Sequence, residues 1–176
     1  MKKETQKILQ WLALGVVLVA SFLFVMFANK GGTASDTSVI TDGEWARGNL
    51  DSQIVLVEYS DFQCPACKSR EAVLNPLLEE FGDHIKFVYR NFPLRSIHPN
   101  AQLSAQAAEA AGIQGKFWEM HDQLFATQEE WEKLPNGDAK AFYINLAKAI
   151  DLDTAIFESD MNSSTVREEI NRDYDI

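Results

Sequence analysis

Ile54-Val55-Leu56-Val57-Glu58-Tyr59-Ser60-Asp61-Phe62-Gln63-Cys64-Pro65-Ala66-Cys67 is the stretch on which the fold turns. Its first six residues are short, apolar and rich in β-branched side chains, which predicts a buried strand. From Pro65 to about Phe81 the periodicity is helical, with Pro65 suited to the first turn and Gly82 to the end. Pro76 falls inside this helix and is expected to kink it. Ile85 to Tyr89 reads as a second strand, stopped near Pro93. Strand, helix and strand within so short a span predict a βαβ unit, with parallel strands and a right-handed crossover.

The chain has only two cysteines, Cys64 and Cys67, and both lie in this stretch. That number excludes a disulfide-stapled miniprotein and a four-cysteine metal site. The predicted geometry puts Cys64 at the N-cap, Pro65 at N1 and Cys67 in the first turn. The Cys64 sulfur then faces unpaired backbone N–H groups and the positive end of the helix dipole, which favour the thiolate. Cys67, one turn on, is placed to resolve a mixed disulfide. Pro65 loses nothing there by lacking an N–H. A zinc site would need two histidines from His84, His98 and His121, which are scattered along the chain. A purely structural disulfide across so tight a loop would gain little entropy. Glu58 shares a strand face with Ile54 and Leu56. Either it is buried beneath the cysteines, where its pKa rises and it can shuttle the Cys67 proton, or it ends the strand in water.

From His98 onward the pattern is helical. Pro99 is expected to open one helix; His98 before it could approach the cysteine site or cap that helix, and the cap is the favoured reading. Phe117, Met120, His121, Leu124 and Phe125 follow helical spacing, which reads His121 as a core histidine. Phe142, Leu146 and Ile150 mark a further helix, Ile156 and Phe157 a short one, and Thr165-x-x-Glu168 a capping box opening the last. Glu129, Glu130 and Glu132 around Trp131 read as a solvated surface.

Charge divides the 176 residues in two. Residues 1–30 carry a net charge of +3, and residues 31–176 a net charge of −13. The acidic body argues against nucleic-acid binding, and 46% hydrophobic content argues against disorder. Ile8 to Ala28 is apolar apart from Gln10 and Ser21. As a helix its 21 residues reach about 31 Å, which matches the hydrocarbon thickness of a bilayer. The run is too long for a signal-peptide core and lacks a good cleavage site at its end, so an uncleaved signal anchor is expected. Three lysines precede it, which puts residues 1–7 in the cytoplasm and the acidic domain outside. Residues 29–47 read as a linker and 48–176 as the folded domain, with Trp45 and Gly48-Asn49 at its edge.

Three motifs in order resemble one family. They are Val57 to Cys67 (V-E-Y-S-D-F-Q-C-P-A-C), Phe87 to Leu94 (F-V-Y-R-N-F-P-L) and the stretch from His98 to Phe125. Together they are similar to the DsbA-like thiol–disulfide oxidoreductases. C-x-x-C after a strand–helix junction is itself the thioredoxin-like redox pattern. The resemblance implies an α/β thioredoxin-like fold with an inserted helical subdomain at about 98–175, here preceded by the single transmembrane helix. It implies Cys64 as the attacking cysteine, Cys67 as the resolving one and Glu58 as a buried acid. It also implies protein thiol substrates, a membrane redox partner for reoxidation, and no metal or organic cofactor. Members of the family continue past the insertion into a cis-proline loop, two strands and a last helix. No proline follows Pro135 here, so those C-terminal strands and that helix are expected to be missing and one edge of the Ile54–Tyr59 strand to lie open. Disulfide formation outside the cytoplasm is the leading expectation. A reductase or isomerase is the alternative within the class, because C-P-A-C lacks a histidine between its cysteines. A truncated, catalytically silent binding or chaperone-like module is the alternative outside it.

Overall fold

The computed structural model describes residues 43–175, together with Trp11, Gly15 and Ser21, which are helical. Apart from those three residues the expected anchor at 8–28 lies outside the described residues, as does most of the expected linker. Among the described residues no helix is long and apolar enough to cross a membrane.

The described residues hold a three-stranded sheet and seven helices. In chain order these are β1 (Trp45–Gly48), β2 (Val55–Ser60), α1 (Pro65–Phe81), β3 (Lys86–Asn91), α2 (Ala101–Ile113), α3 (Phe117–Ala126), α4 (Gln128–Trp131), α5 (Asn136–Ala149), α6 (Thr154–Met161) and α7 (Ser164–Asp175). The sheet order is β1-β3-β2. β2 and β3 are parallel, with Val55 opposite Lys86 and Ser60 opposite Asn91, so α1 is the crossover of a βαβ unit. Proline at the start of α1 costs no hydrogen bond, and the helix continues through Pro76 to Phe81.

β1 is the element that the sequence did not suggest. It pairs antiparallel with β3, Trp45 opposite Tyr89 and Gly48 opposite Lys86. Trp45 to Arg47 therefore belong to the sheet and not to the linker expected to run to residue 47. Trp45 is anchored twice: its indole stacks on Phe117 at 4.3 Å and its Nε1 donates to Glu109. Gly112 makes room for it, because a Cβ there would come within 2.2 Å of the indole ring. β2 takes the opposite edge and has a sheet neighbour on one side only among the described residues. Ile54, just before it, is 63% exposed.

α2 carries six buried alanines, Ala101, Ala105, Ala107, Ala108, Ala110 and Ala111, so other helices can approach it closely. The core between sheet and helices is aromatic, built on Phe62, Phe87, Tyr89, Phe117, Trp131, Tyr143 and Phe157. Trp131 is fully buried and donates Nε1–H to Leu124 O, while Glu129 and Glu130 beside it are exposed. Two expected caps are replaced. Ser163 Oγ, not Thr165, accepts from the first turn of α7, at Val166 N. Asn100 precedes α2, and His98 uses its side chain elsewhere.

A buried polar cluster joins β1, β3, α2 and α7. Glu109 Oε1 accepts from Trp45 Nε1 at 2.8 Å and from Asn91 Nδ2 at 2.7 Å, and Asp173 accepts from Asn91 N. Burial, with the Asp173 charge nearby, pushes the Glu109 carboxyl up to about 8. A carboxyl raised on folding stabilises the protein fully below its unfolded pKa, and that contribution is lost as pH rises through the folded one. Stability is therefore expected to fall as pH rises between 4.5 and about 8 through this group. Glu109→Gln keeps an acceptor for both donors and should flatten the slope, raising Tm at neutral pH. Thermal melts across that pH range check this.

Candidate active site

The site is the turn between β2 and α1. Cys64 is the N-cap of α1 in extended conformation (φ −77°, ψ 120°), and Pro65 follows as the first helical residue. Cys64 O accepts Lys68 N–H, the first bond of the helix, and Cys64 N–H donates to Asp61 O. Both cysteines are half-buried and unpaired. Burial pushes the Cys67 thiol up; donors at the Asp61 backbone and Ser60 oppose this, and the adjacent Cys64 thiol adds to it. The Cys67 thiol thus holds its proton to higher pH than an ordinary cysteine.

Asp61 is the anchor of the turn. Its carboxylate is 3% exposed and takes three contacts: Gln63 N–H on Oδ1, and Leu94 N–H with His98 Nδ1 on Oδ2, the last at 2.7 Å. His98 is therefore a neighbour of the redox turn. Its backbone carbonyl, not its ring, accepts from the start of α2. Gln63 reaches into the helical insertion, donating to Glu132 O and accepting from Asn100 N, both at 2.6 Å. Sequence reasoning missed Asp61 and Gln63 as site residues. Gln63 carries no local signal, whereas Asp61 is an aspartate at the end of an apolar strand whose carboxylate could be read as a turn former.

Glu58 is 5% exposed, and its Oε2 has no hydrogen-bond partner. Burial pushes its carboxyl up, opposed by Ser60 and the charges of Arg70 and Arg47. A second carboxyl, Glu71, lies one helical turn beyond Cys67 on α1 and is also buried with an unpartnered oxygen. Burial and then the Glu58 charge raise it to about 7; Arg47 lowers it and Asp122 raises it. Glu71 lines a cleft of about 300 Å³ with Lys68, Asn75, Asp122, Phe125 and Ala126. The three histidines occupy separate surroundings. His84 is exposed, His98 pairs with Asp61, and His121 is buried in an aromatic cage with Nδ1 on Asp122. Burial lowers the His121 pKa, so its ring is neutral in the core.

The sequence pattern of the thioredoxin family matches residues 41–175, and the chain belongs to that family. Its fold is that of DsbA-type proteins. α-DsbA1 from Wolbachia pipientis superposes with a TM-score of 0.67 at 17% identity, covering 78% of this chain and 69% of that one. BdbD from Bacillus subtilis gives 0.63 at 24%, covering 76% and 73%. A thioredoxin-like oxidoreductase from Silicibacter pomeroyi gives 0.59 at 23%, covering 76% and 71%. Sequence relatives include Na(+)/H(+) antiporters named NhaA 1. That of Mycolicibacterium vanbaalenii is 45% identical over 91 residues, 52% of this chain and 15% of the antiporter. That of Salinispora arenicola is 43% identical over 112 residues, 64% and 16%. The chain thus spans less than a fifth of these relatives, and the antiporter name describes those longer proteins. Family and fold thus agree, and the cysteine pair stands at the head of α1.

The raised Glu71 gives this site a titration in the physiological range. A carboxyl signal with a midpoint near pH 7 is expected in carbon-detected NMR or difference infrared spectra, and Glu71→Gln should remove it. A midpoint in the ordinary carboxylate range would contradict the burial argument.

Proposed function

We propose that the chain is a membrane-anchored oxidoreductase that donates the Cys64–Cys67 disulfide to protein thiols outside the cytoplasm. The observation that carries this reading is the position of Cys64, the half-buried N-cap of α1 whose side chain makes no cap hydrogen bond, with Cys67 in the first turn and its thiol raised. The apolar run at 8–28 and the basic residues ahead of it support the anchor and its orientation.

The cycle starts from the disulfide. A substrate thiolate attacks Cys64 Sγ, the Cys64–Cys67 bond breaks, and Cys67 leaves and takes up a proton. Glu58 is the proposed source of that proton, since burial keeps its carboxyl protonated to higher pH than usual. A second substrate thiolate attacks the substrate sulfur of the mixed disulfide, and Cys64 leaves as thiolate. The substrate has lost two electrons and the enzyme pair has gained them. A membrane partner that accepts two electrons restores the disulfide. No metal or organic cofactor takes part in these steps. The absence of a histidine between the cysteines favours a reductase or isomerase as the second reading.

Oxidative refolding of a reduced disulfide protein tests the proposal. The full chain, supplied as disulfide, should speed refolding stoichiometrically, and Cys64→Ser should abolish this. Glu58→Gln should slow the step by a factor on the order of a hundred. No oxidation of substrate by the disulfide form would overturn the reading and favour a silent binding module. In the same preparations, alkaline extraction should leave the chain with the membrane, and deletion of 8–28 should release it.

A further inference from the structure

Gln128 opens α4, a helix of four residues in the insertion, and is 1% exposed. Its amide nitrogen donates to Phe62 O at 2.6 Å and to Cys64 O at 3.1 Å. We infer that Gln128 is a positioning residue for the exchange reaction, holding from the helical insertion the backbone carbonyl of the nucleophilic Cys64 and that of Phe62, two residues before it. The inference rests on the disulfide-exchange reading given above.

Three observations carry it. First, the placement is costly unless it is used: a buried amide without partners forfeits its hydration, and here its nitrogen donates twice to the redox turn. A hydrophobic side chain of the same size would fill the space but leave Phe62 O without this donor and Cys64 O with Lys68 N–H alone. Second, the contact is specific in address. Of the residues of α4, Gln128 reaches the turn, while Trp131 at the other end packs into the core. Glu129, next to Gln128, makes an ion pair with Lys68 of α1 at 3.0 Å, so the short helix meets the first turn of α1 on both sides of the N-cap. Third, the same turn is tied to the insertion by Gln63, so Gln128 has a fixed platform to act from.

The chemical consequence follows from charge. The oxygens of Phe62 and Cys64 carry partial negative charge close to the atom that must become a thiolate. The two amide hydrogens of Gln128 offset part of that charge. Without them, the thiolate loses stabilisation and the reduced form of the pair rises in energy relative to the disulfide.

The test uses the full chain with Gln128→Met, which keeps length and volume, and Gln128→Glu, which replaces the donors with a carboxyl. Alkylation of Cys64 by iodoacetamide at neutral pH is read by peptide mass, and thermal melts report the fold. Both variants are expected to react more slowly than the wild type, by a factor on the order of three to ten, while still melting cooperatively. The glutathione equilibrium should shift towards the disulfide by a similar factor. Unchanged alkylation and equilibrium in folded variants would overturn the proposal, and so would failure of both variants to fold, since the amide would then be structural only. Alkylation needs no redox partner, so it judges Gln128 even if the wild type failed to oxidise substrate.

Discussion

The buried carboxylate of Asp61 is the constraint on which the rest of the site depends. β2 ends and α1 begins within four residues, and the turn between them is almost wholly out of water. A charge in that position survives only if donors surround it. They come from the turn itself, at Gln63 N, from the loop after β3, at Leu94 N, and from His98 at the entrance to the insertion. One side chain thus fixes three segments against one another. The redox turn can then present Cys64 at the head of a helix without a side-chain cap of its own. The insertion completes the turn through glutamine amides, which add no charge beside the sulfur.

The same molecule keeps several carboxyls where they are expensive. Glu58 shares Ser60 with Cys67, Glu71 lies one turn beyond Cys67 on α1, and Glu109 and Asp173 meet Asn91 at the C-terminal end of β3. All four are pushed up by burial, so each weakens the fold as pH rises through its range. The two groups differ in what they face. Glu109 and Asp173 are met by Trp45 and Asn91, which makes them part of the joint between sheet and α7. Glu58 and Glu71 each keep an oxygen without a partner, which is the condition of a group free to exchange a proton.

The βαβ unit and the cysteine pair were legible in the sequence because their signals are local. Pro65 and Gly82 bound α1, and each flanking strand has a short apolar core, Val55-Leu56-Val57 and Phe87-Val88-Tyr89. β1 was not legible, since four residues with a tryptophan and a glycine at the ends have no period to read. Its existence depends on a stack with Phe117 and a space left by Gly112, both distant in the chain. His98 was misjudged for the same reason. Proximity to Pro99 suggested a cap, whereas its partner, Asp61, lies 37 positions away. Gln63 and Gln128 look like ordinary surface residues by composition. Only the fold shows that their partners are backbone groups 37 to 69 positions distant.

The proposed donation of a disulfide requires that the Cys64–Cys67 pair be a reversible couple with an oxidising poise. Equilibration of the full chain with glutathione buffers, with the cysteine state read by alkylation mass shift, measures this directly. The account predicts a single two-electron transition with a midpoint between about −120 and −200 mV. A midpoint near −270 mV, or no reversible transition, would contradict it.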